Sequence, residues 1–182
     1  MVESPRWSNP SLPYLLPRSG GRPDAWAEEL ATAGLVGSQR LAEVAEIEAP
    51  TDVAAALDLD PGGRVVVRRR VMYVGERPVE LTDSYYPAGL ARGTRLAEAR
   101  KIPGGAVTLL GELGYRPVEA REDITARMPT ADERTMLSLD ADEPVLVLCR
   151  RVLTGGGVPV ELSVMVMPAH GRHLSYETTI GP

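Results

Sequence analysis

Residues 145–168 read VLVLCRRVLTGGGVPVELSVMVMP, and residues 65–87 read VVVRRRVMYVGERPVELTDSYYP. Each stretch is a Val-rich run that reaches a Gly turn, followed by Pro-Val-Glu-Leu and a second extended run. Side chains branched at Cβ lose rotamer freedom in a helix and pack well on a pleated surface, so these runs are expected as strands. A short Gly-containing connection between two such runs closes them into an antiparallel hairpin. Each hairpin is preceded by Pro-Thr and a Leu-x-Leu segment that reads as a short helix: Pro50-Thr51 with Leu57-Asp58-Leu59, and Pro129-Thr130 with Leu137-Ser138-Leu139. The chain thus holds one helix–hairpin unit twice, with Glu80 of the first answering Glu161 of the second. Two copies are too few for a solenoid and point to a pseudo-twofold axis inside one domain.

Around these units, Asp24 is placed to cap a first helix that stops at Gly34, and residues 40–48 read as a strand with poor alternation. Between the copies, 105–113 reads as a helix stopped by Gly114 and 116–128 as a strand; 172–180 reads as an edge strand. The sum is an α+β fold, one antiparallel sheet built from two repeated helix–hairpin units with short helices on one face. Residues 1–23, rich in Pro, Ser, Gly and Arg, are expected as a linker or disordered tail, and 24–182 as the domain.

The chain has 182 residues, 43% of them hydrophobic and 25% charged, an ordinary globular balance with enough length for a core. It has no Phe, so Val, Leu, Ala and Met must fill that core. A net charge of -5 argues against bulk attraction to nucleic acid or an anionic membrane. One cysteine, Cys149, excludes an internal disulfide and fits a cytoplasmic protein. There is no membrane-length apolar run, no signal-peptide pattern, no GxGxxG, P-loop, HExxH or GxSxG. His170 and His173 have neither cysteine nor carboxylate at ligand spacing, so neither metal nor cofactor is expected.

If each hairpin closes with Val74 opposite Pro78 and Thr154 opposite Val158, the faces follow. In the first hairpin Val67, Arg69, Val71, Val79, Leu81, Asp83 and Tyr85 form an apolar face, and Arg68, Arg70, Met72, Glu80, Thr82, Ser84 and Tyr86 a mixed one. In the second, Leu146, Leu148, Arg150, Val152, Val160, Leu162, Val164 and Val166 are apolar-side, against Val147, Cys149, Arg151, Glu161, Ser163, Met165 and Met167. A solvated face with cross-strand ion pairs is one reading of the mixed side. A ligand cleft is the other, and Met165 and Met167 favour it, because small-molecule sites combine apolar lining with a few placed polar groups.

The repeated helix–hairpin, with Arg70 eight residues before Pro78, Val160-Glu161 after Pro159, Ser84-Tyr85-Tyr86-Pro87, and Gly114-Tyr115-Arg116-Pro117 before a strand, resembles the UTRA domain. This is the ligand-sensing half of HutC-type GntR transcription regulators and shares the chorismate lyase fold. The resemblance covers residues 12–180 and implies an effector bound between the two hairpins and the first helix's N-terminus. It implies that Arg70 grips a carboxylate or phosphate and that Glu161 accepts from a hydroxyl or amine. Ala25-Trp26 stand where the family places a Ser-Phe pair, whose backbone N–H groups are suited to an anion. Thr82, Ser84, Tyr86, Glu80, Ser163, Met72, Met165 and Met167 complete the expected ligand-binding set.

Sugar-phosphate-sensing members tend to carry Arg-x-Arg where this chain has Arg70-Val71-Met72, Glu where it has Thr82, and Tyr where it has Met167. Each departure makes the pocket less polar, so the expected effector is an apolar molecule with one acidic group. The resemblance also implies a homodimer, and DNA contact only through a winged helix, for which residues 1–23 are too few. Two other functions fit the fold: a chorismate lyase-like enzyme, in which Arg70 and Arg151 grip a dicarboxylate, and a ligand-free dimerisation module.

Overall fold

The computed structural model describes residues 7–8, 12–18 and 24–176. The elements in order are β1 (Trp7–Ser8), α1 (Leu12–Leu15), α2 (Ala25–Thr32), β2 (Gly37–Glu48), α3 (Thr51–Ala56), β3 (Arg64–Val74) and β4 (Arg77–Pro87). There follow α4 (Ala88–Ala91), a 3-10 turn (Arg95–Ala97), α5 (Gly105–Glu112), β5 (Pro117–Arg127), α6 (Ala131–Leu137), β6 (Val145–Thr154), β7 (Pro159–Pro168) and β8 (Arg172–His173). Asp24 caps α2 as its sequence position suggests, accepting from the Ala27 N–H at 2.9 Å. Thr130 and Glu133 cap α6 reciprocally, each side chain accepting from the other's backbone N–H.

Six strands form one antiparallel sheet in the order β2-β3-β4-β7-β6-β5. Each unit is a three-stranded meander, and the two meet along β4 and β7. Asp83 pairs with Val164 there, and these are equivalent residues of the two copies, so the pseudo-twofold axis passes between them. The short helices of the repeat, α3 and α6, lie on one face. Val53 and Leu57 pack on Val67, Tyr85 and Leu162, while Leu137 and Leu139 pack on Val147 and Val166. The opposite face is covered by segments outside the repeat, with α2 contributing Trp26 and Leu30, and α5 contributing Leu109 and Leu110. The short β8 pairs in parallel with β1. Of the edge strand expected over 172–180, Arg172–His173 is extended, and residues 177–180 lie outside the described set.

The register carries one correction. In the first hairpin the tip is a two-residue turn, Gly75-Glu76, and Val79 then bulges, so Met72 opposes Glu80 and Arg70 opposes Thr82, as the expected faces require. In the second, Thr154 N–H donates to Val158 O across three glycines, as expected, but Val160 bulges as well. That extra residue shifts β6 by one relative to β7. Val152, Arg150, Leu148 and Leu146 therefore oppose Glu161, Ser163, Met165 and Met167, while Val147, Cys149 and Arg151 turn to the α3/α6 face. The bulges also bring Val79 against Trp26 and Val160 against Leu109, on the face opposite to the one expected.

Candidate functional site

The mixed face is a buried cleft, not a solvated surface. It encloses about 370 Å³ between the sheet, the N-terminus of α2, residues 13–18 and the segment 101–107. Arg70, Met72, Glu80, Thr82 and Tyr86 line it from the first hairpin, and Glu161, Ser163 and Met165 from the second. Ala25 and Trp26 line it from α2. Two expected residues lie behind this wall. Ser84 is fully buried and reaches the cleft only through its hydrogen bonds, and Met167 packs beneath with Leu148 and Met165.

The pseudo-twofold axis supplies the same trio from each half: Arg70, Thr82 and Glu80 from one, Arg150, Ser163 and Glu161 from the other. Thr82 donates to Glu80 at 2.8 Å, and Ser163 donates to Glu161 at 2.7 Å. The surroundings then treat the halves differently. Glu80 forms a buried ion pair with Arg172, whose guanidinium also stacks over Trp26, 5.6 Å from the ring centroid. Arg150 forms a buried ion pair with Glu122 and lies 5.8 Å from the Tyr14 ring centroid. Arg70 and Glu161 are left, and no ion pair joins either to a described residue. Arg70 donates to Ser84 Oγ at 2.8 Å, and its Nε is buried without a partner among the described residues. Glu161 is 8% exposed, and its Oε2 is likewise buried without a partner among them. Ser84 Oγ and Ser163 Oγ lie 2.7 Å apart, completing a hydroxyl chain from Arg70 to Glu161 across the β4–β7 seam.

The cover is held by specific bonds. Arg68, 5% exposed, spends its guanidinium on the carbonyls of Arg95, Leu96, Glu98 and Arg100, pinning the loop ahead of α5 to the sheet. Burial holds its pKa below the usual arginine value. The loop's outer end is tied by Lys101, whose Nζ lies 2.9 Å from Asp24 Oδ2; Gln39 donates to the same oxygen at 3.0 Å. Burial raises the Asp24 pKa, but hydrogen bonds from Lys101, Ala27 N–H and Gln39 outweigh it and hold the carboxyl below its ordinary value. The anion position at the start of α2 is thus filled by the protein's own carboxylate. On the other side Tyr14 donates to Glu29, and burial, aided by the nearby Glu80 charge, holds the Glu29 pKa above its ordinary value.

Sequence reading missed Tyr14, Arg18, Lys101 and Arg150. The first two fall in the stretch read as a tail, and Arg150 was on the wrong side of the register slip. The Arg172–Glu80 and Arg150–Glu122 pairs join positions far apart in the chain with no local pattern to announce them.

The fold, a six-stranded antiparallel sheet with few helices, matches those of effector domains of GntR-family transcription regulators. PhnF from Mycobacterium smegmatis superposes with a TM-score of 0.79 at 20% identity, covering 97% of this chain and 73% of that one. The C-terminal domain of the histidine utilization repressor from Pseudomonas syringae gives 0.68 at 25% identity, over 79% of this chain and 99% of that one. The chain belongs to the UTRA domain family, whose model matches residues 32–171. Among curated proteins, the HTH-type transcriptional regulator SCO4628 of Streptomyces coelicolor is 34% identical over 126 residues, 68% of this chain and 47% of that protein. The HTH-type regulator GgaR of Escherichia coli is 28% identical over 118 residues, 65% of this chain and 46% of that protein. The chain spans about half the length of these curated relatives.

Proposed function

We propose that this chain is the small-molecule effector-sensing domain of a HutC-type GntR transcription regulator, working in the cytoplasm, as a homodimer and without catalysis. The observation that carries the reading is that two buried polar atoms of the cleft wall, Arg70 Nε and Glu161 Oε2, have no hydrogen-bond partner among the described residues. A buried donor or acceptor without a partner costs about 1–3 kcal/mol, and a ligand that satisfies both recovers it. Met72, Met165 and Trp26 supply apolar wall, which suits an apolar effector with an acidic group on Arg70. The open edge of β5, with Val118 and Ile124 exposed, supports the homodimer.

Signalling requires that the effector bind two arrangements of the protein with different affinity. DNA contact in the intact regulator belongs to a winged helix outside this chain. The enzyme reading is disfavoured because Arg151 points to the α3/α6 face and Arg150, which takes its place, is already paired with Glu122.

Native mass spectrometry of protein purified from its host tests the reading and reports the oligomeric state in the same spectrum. A discrete co-purifying small molecule, lost in Arg70→Ala and in Glu161→Ala, is expected. An empty protein that also fails to respond to a metabolite panel would leave a dimerisation module as the better account.

A further inference from the structure

The pseudo-twofold axis brings two arginines and two glutamates to the cleft, and the surrounding chain neutralises one of each. Arg172 takes Glu80, and Glu122 takes Arg150. The other cations near the wall are also committed: Arg68 to four backbone carbonyls, Lys101 to Asp24 and Arg18 to Glu28. What remains open to a ligand is one guanidinium and one carboxylate, Arg70 and Glu161, separated by the hydroxyls of Ser84 and Ser163. These hydroxyls bond a terminal guanidinium nitrogen of Arg70 and Oε1 of Glu161, so Nε of one and Oε2 of the other are left for an occupant.

We infer that the ligand of this cleft is a zwitterion: an anionic group on Arg70, an ammonium on Glu161, and an apolar body against Met72 and Met165. The inference rests on the sensing reading above and narrows it to a chemical class. A monoanion without a donor satisfies Arg70 but leaves the Glu161 carboxylate buried and unpaired, the costly arrangement in a low-dielectric site. A ligand with two anionic groups has nowhere to place the second, because Asp24 already occupies the start of α2. A zwitterion laid antiparallel to the Arg70–Glu161 dipole answers both charges and adds no net charge.

Matched triads of compounds test this by melting temperature and calorimetry: leucine with isocaproate and isopentylamine, phenylalanine with hydrocinnamate and phenethylamine, and γ-aminobutyrate with butyrate and propylamine. At least one amino acid is expected to raise the melting temperature by several degrees at saturation, on the order of 100 Kd, while its deaminated and decarboxylated partners do not. Glu161→Gln is expected to weaken that amino acid about tenfold or more, the scale of a lost charge-assisted hydrogen bond. A deaminated acid that stabilises as well as its amino acid overturns the zwitterion class and leaves the sensing reading standing. A panel in which no amino acid stabilises also overturns it, and the co-purification experiment then decides the sensing reading separately. If Glu161→Gln does not fold, the wild-type triads by themselves decide the ligand class.

Discussion

Arg150 faces the cleft with its guanidinium held by Glu122, a pair in which the side chains are 8% and 10% exposed. Its neighbour Arg151 points to the other face and makes one long bond, 3.4 Å, to the Ala56 carbonyl. Removing one partner of a buried pair leaves the other charge desolvated and alone, which costs ~3–5 kcal/mol. A long bond from a half-buried side chain carries about 1 kcal/mol or less. Urea denaturation is therefore expected to show Arg150→Gln as severely destabilised and Arg151→Gln as nearly neutral, with Glu122→Gln/Arg150→Met recovering much of the loss. The reverse ranking would mean that the strand is out by one residue. Glu29 offers a second test at this scale. Its pKa is raised in the fold, chiefly by burial, so folding takes up a proton and the site loses stability as pH climbs through the raised value. Glu29→Gln keeps an oxygen for Tyr14 and removes the half-buried charge. Its melting temperature is expected to equal or exceed that of the wild type at neutral pH and to fall less between mildly acidic and neutral pH; an unchanged pH profile would contradict the assignment.

At the scale of elements, the loop from Arg95 to Gly104 behaves as a strap over the cleft, fixed underneath by Arg68 and latched at its outer end to the N-cap of α2. Lys101 is the one lysine of the chain, so amine-reactive labelling followed by peptide mapping reads the latch directly. Asn caps helices as well as Asp does, so Asp24→Asn keeps α2 and removes the ion pair. Faster acylation of Lys101 in Asp24→Asn than in the wild type at neutral pH is expected; equal rates would show that the latch does not hold the strap. Since the Asp24 pKa is lowered, the latch's contribution is complete above the ordinary carboxylate range and is lost only as pH falls through the lowered value. Strand identity, repeat and hairpin pairing were legible in the sequence because Val-rich runs and Gly turns act locally. Val79 apart, the faces of the first hairpin came out right because two omissions cancelled: the real turn is one residue shorter than assumed, and the bulge at Val79 restores that residue. The second hairpin has the assumed turn and the same bulge, so nothing cancelled there. A bulge leaves little trace in composition, and no local pattern announces long-range partners such as Arg172 for Glu80.

At the scale of the whole molecule, the repeat looks like two separable halves, yet the helices are exchanged across the seam. Besides strands of its own half, α3 of the first unit packs against β7 of the second through Leu162 and Val164, and α6 of the second packs against β4 of the first through Leu81. The cleft is divided in the same way, with Arg70 on one side of the axis and Glu161 on the other. A half expressed alone would keep its three-stranded meander but lose part of the cover on its apolar face and half of the hydroxyl chain. Three strands lie at the lower limit for independent stability, and each half also loses the apolar cover that the other half's helix supplies. Neither residues 24–115 nor residues 116–182 alone are therefore expected to give a cooperative melt by circular dichroism, while an equimolar mixture is expected to regain some cooperative structure. A half that melted cooperatively by itself would show that the seam joins two finished domains, and the Arg70–Glu161 cleft would then be an interface capable of opening along β4 and β7 without unfolding either side.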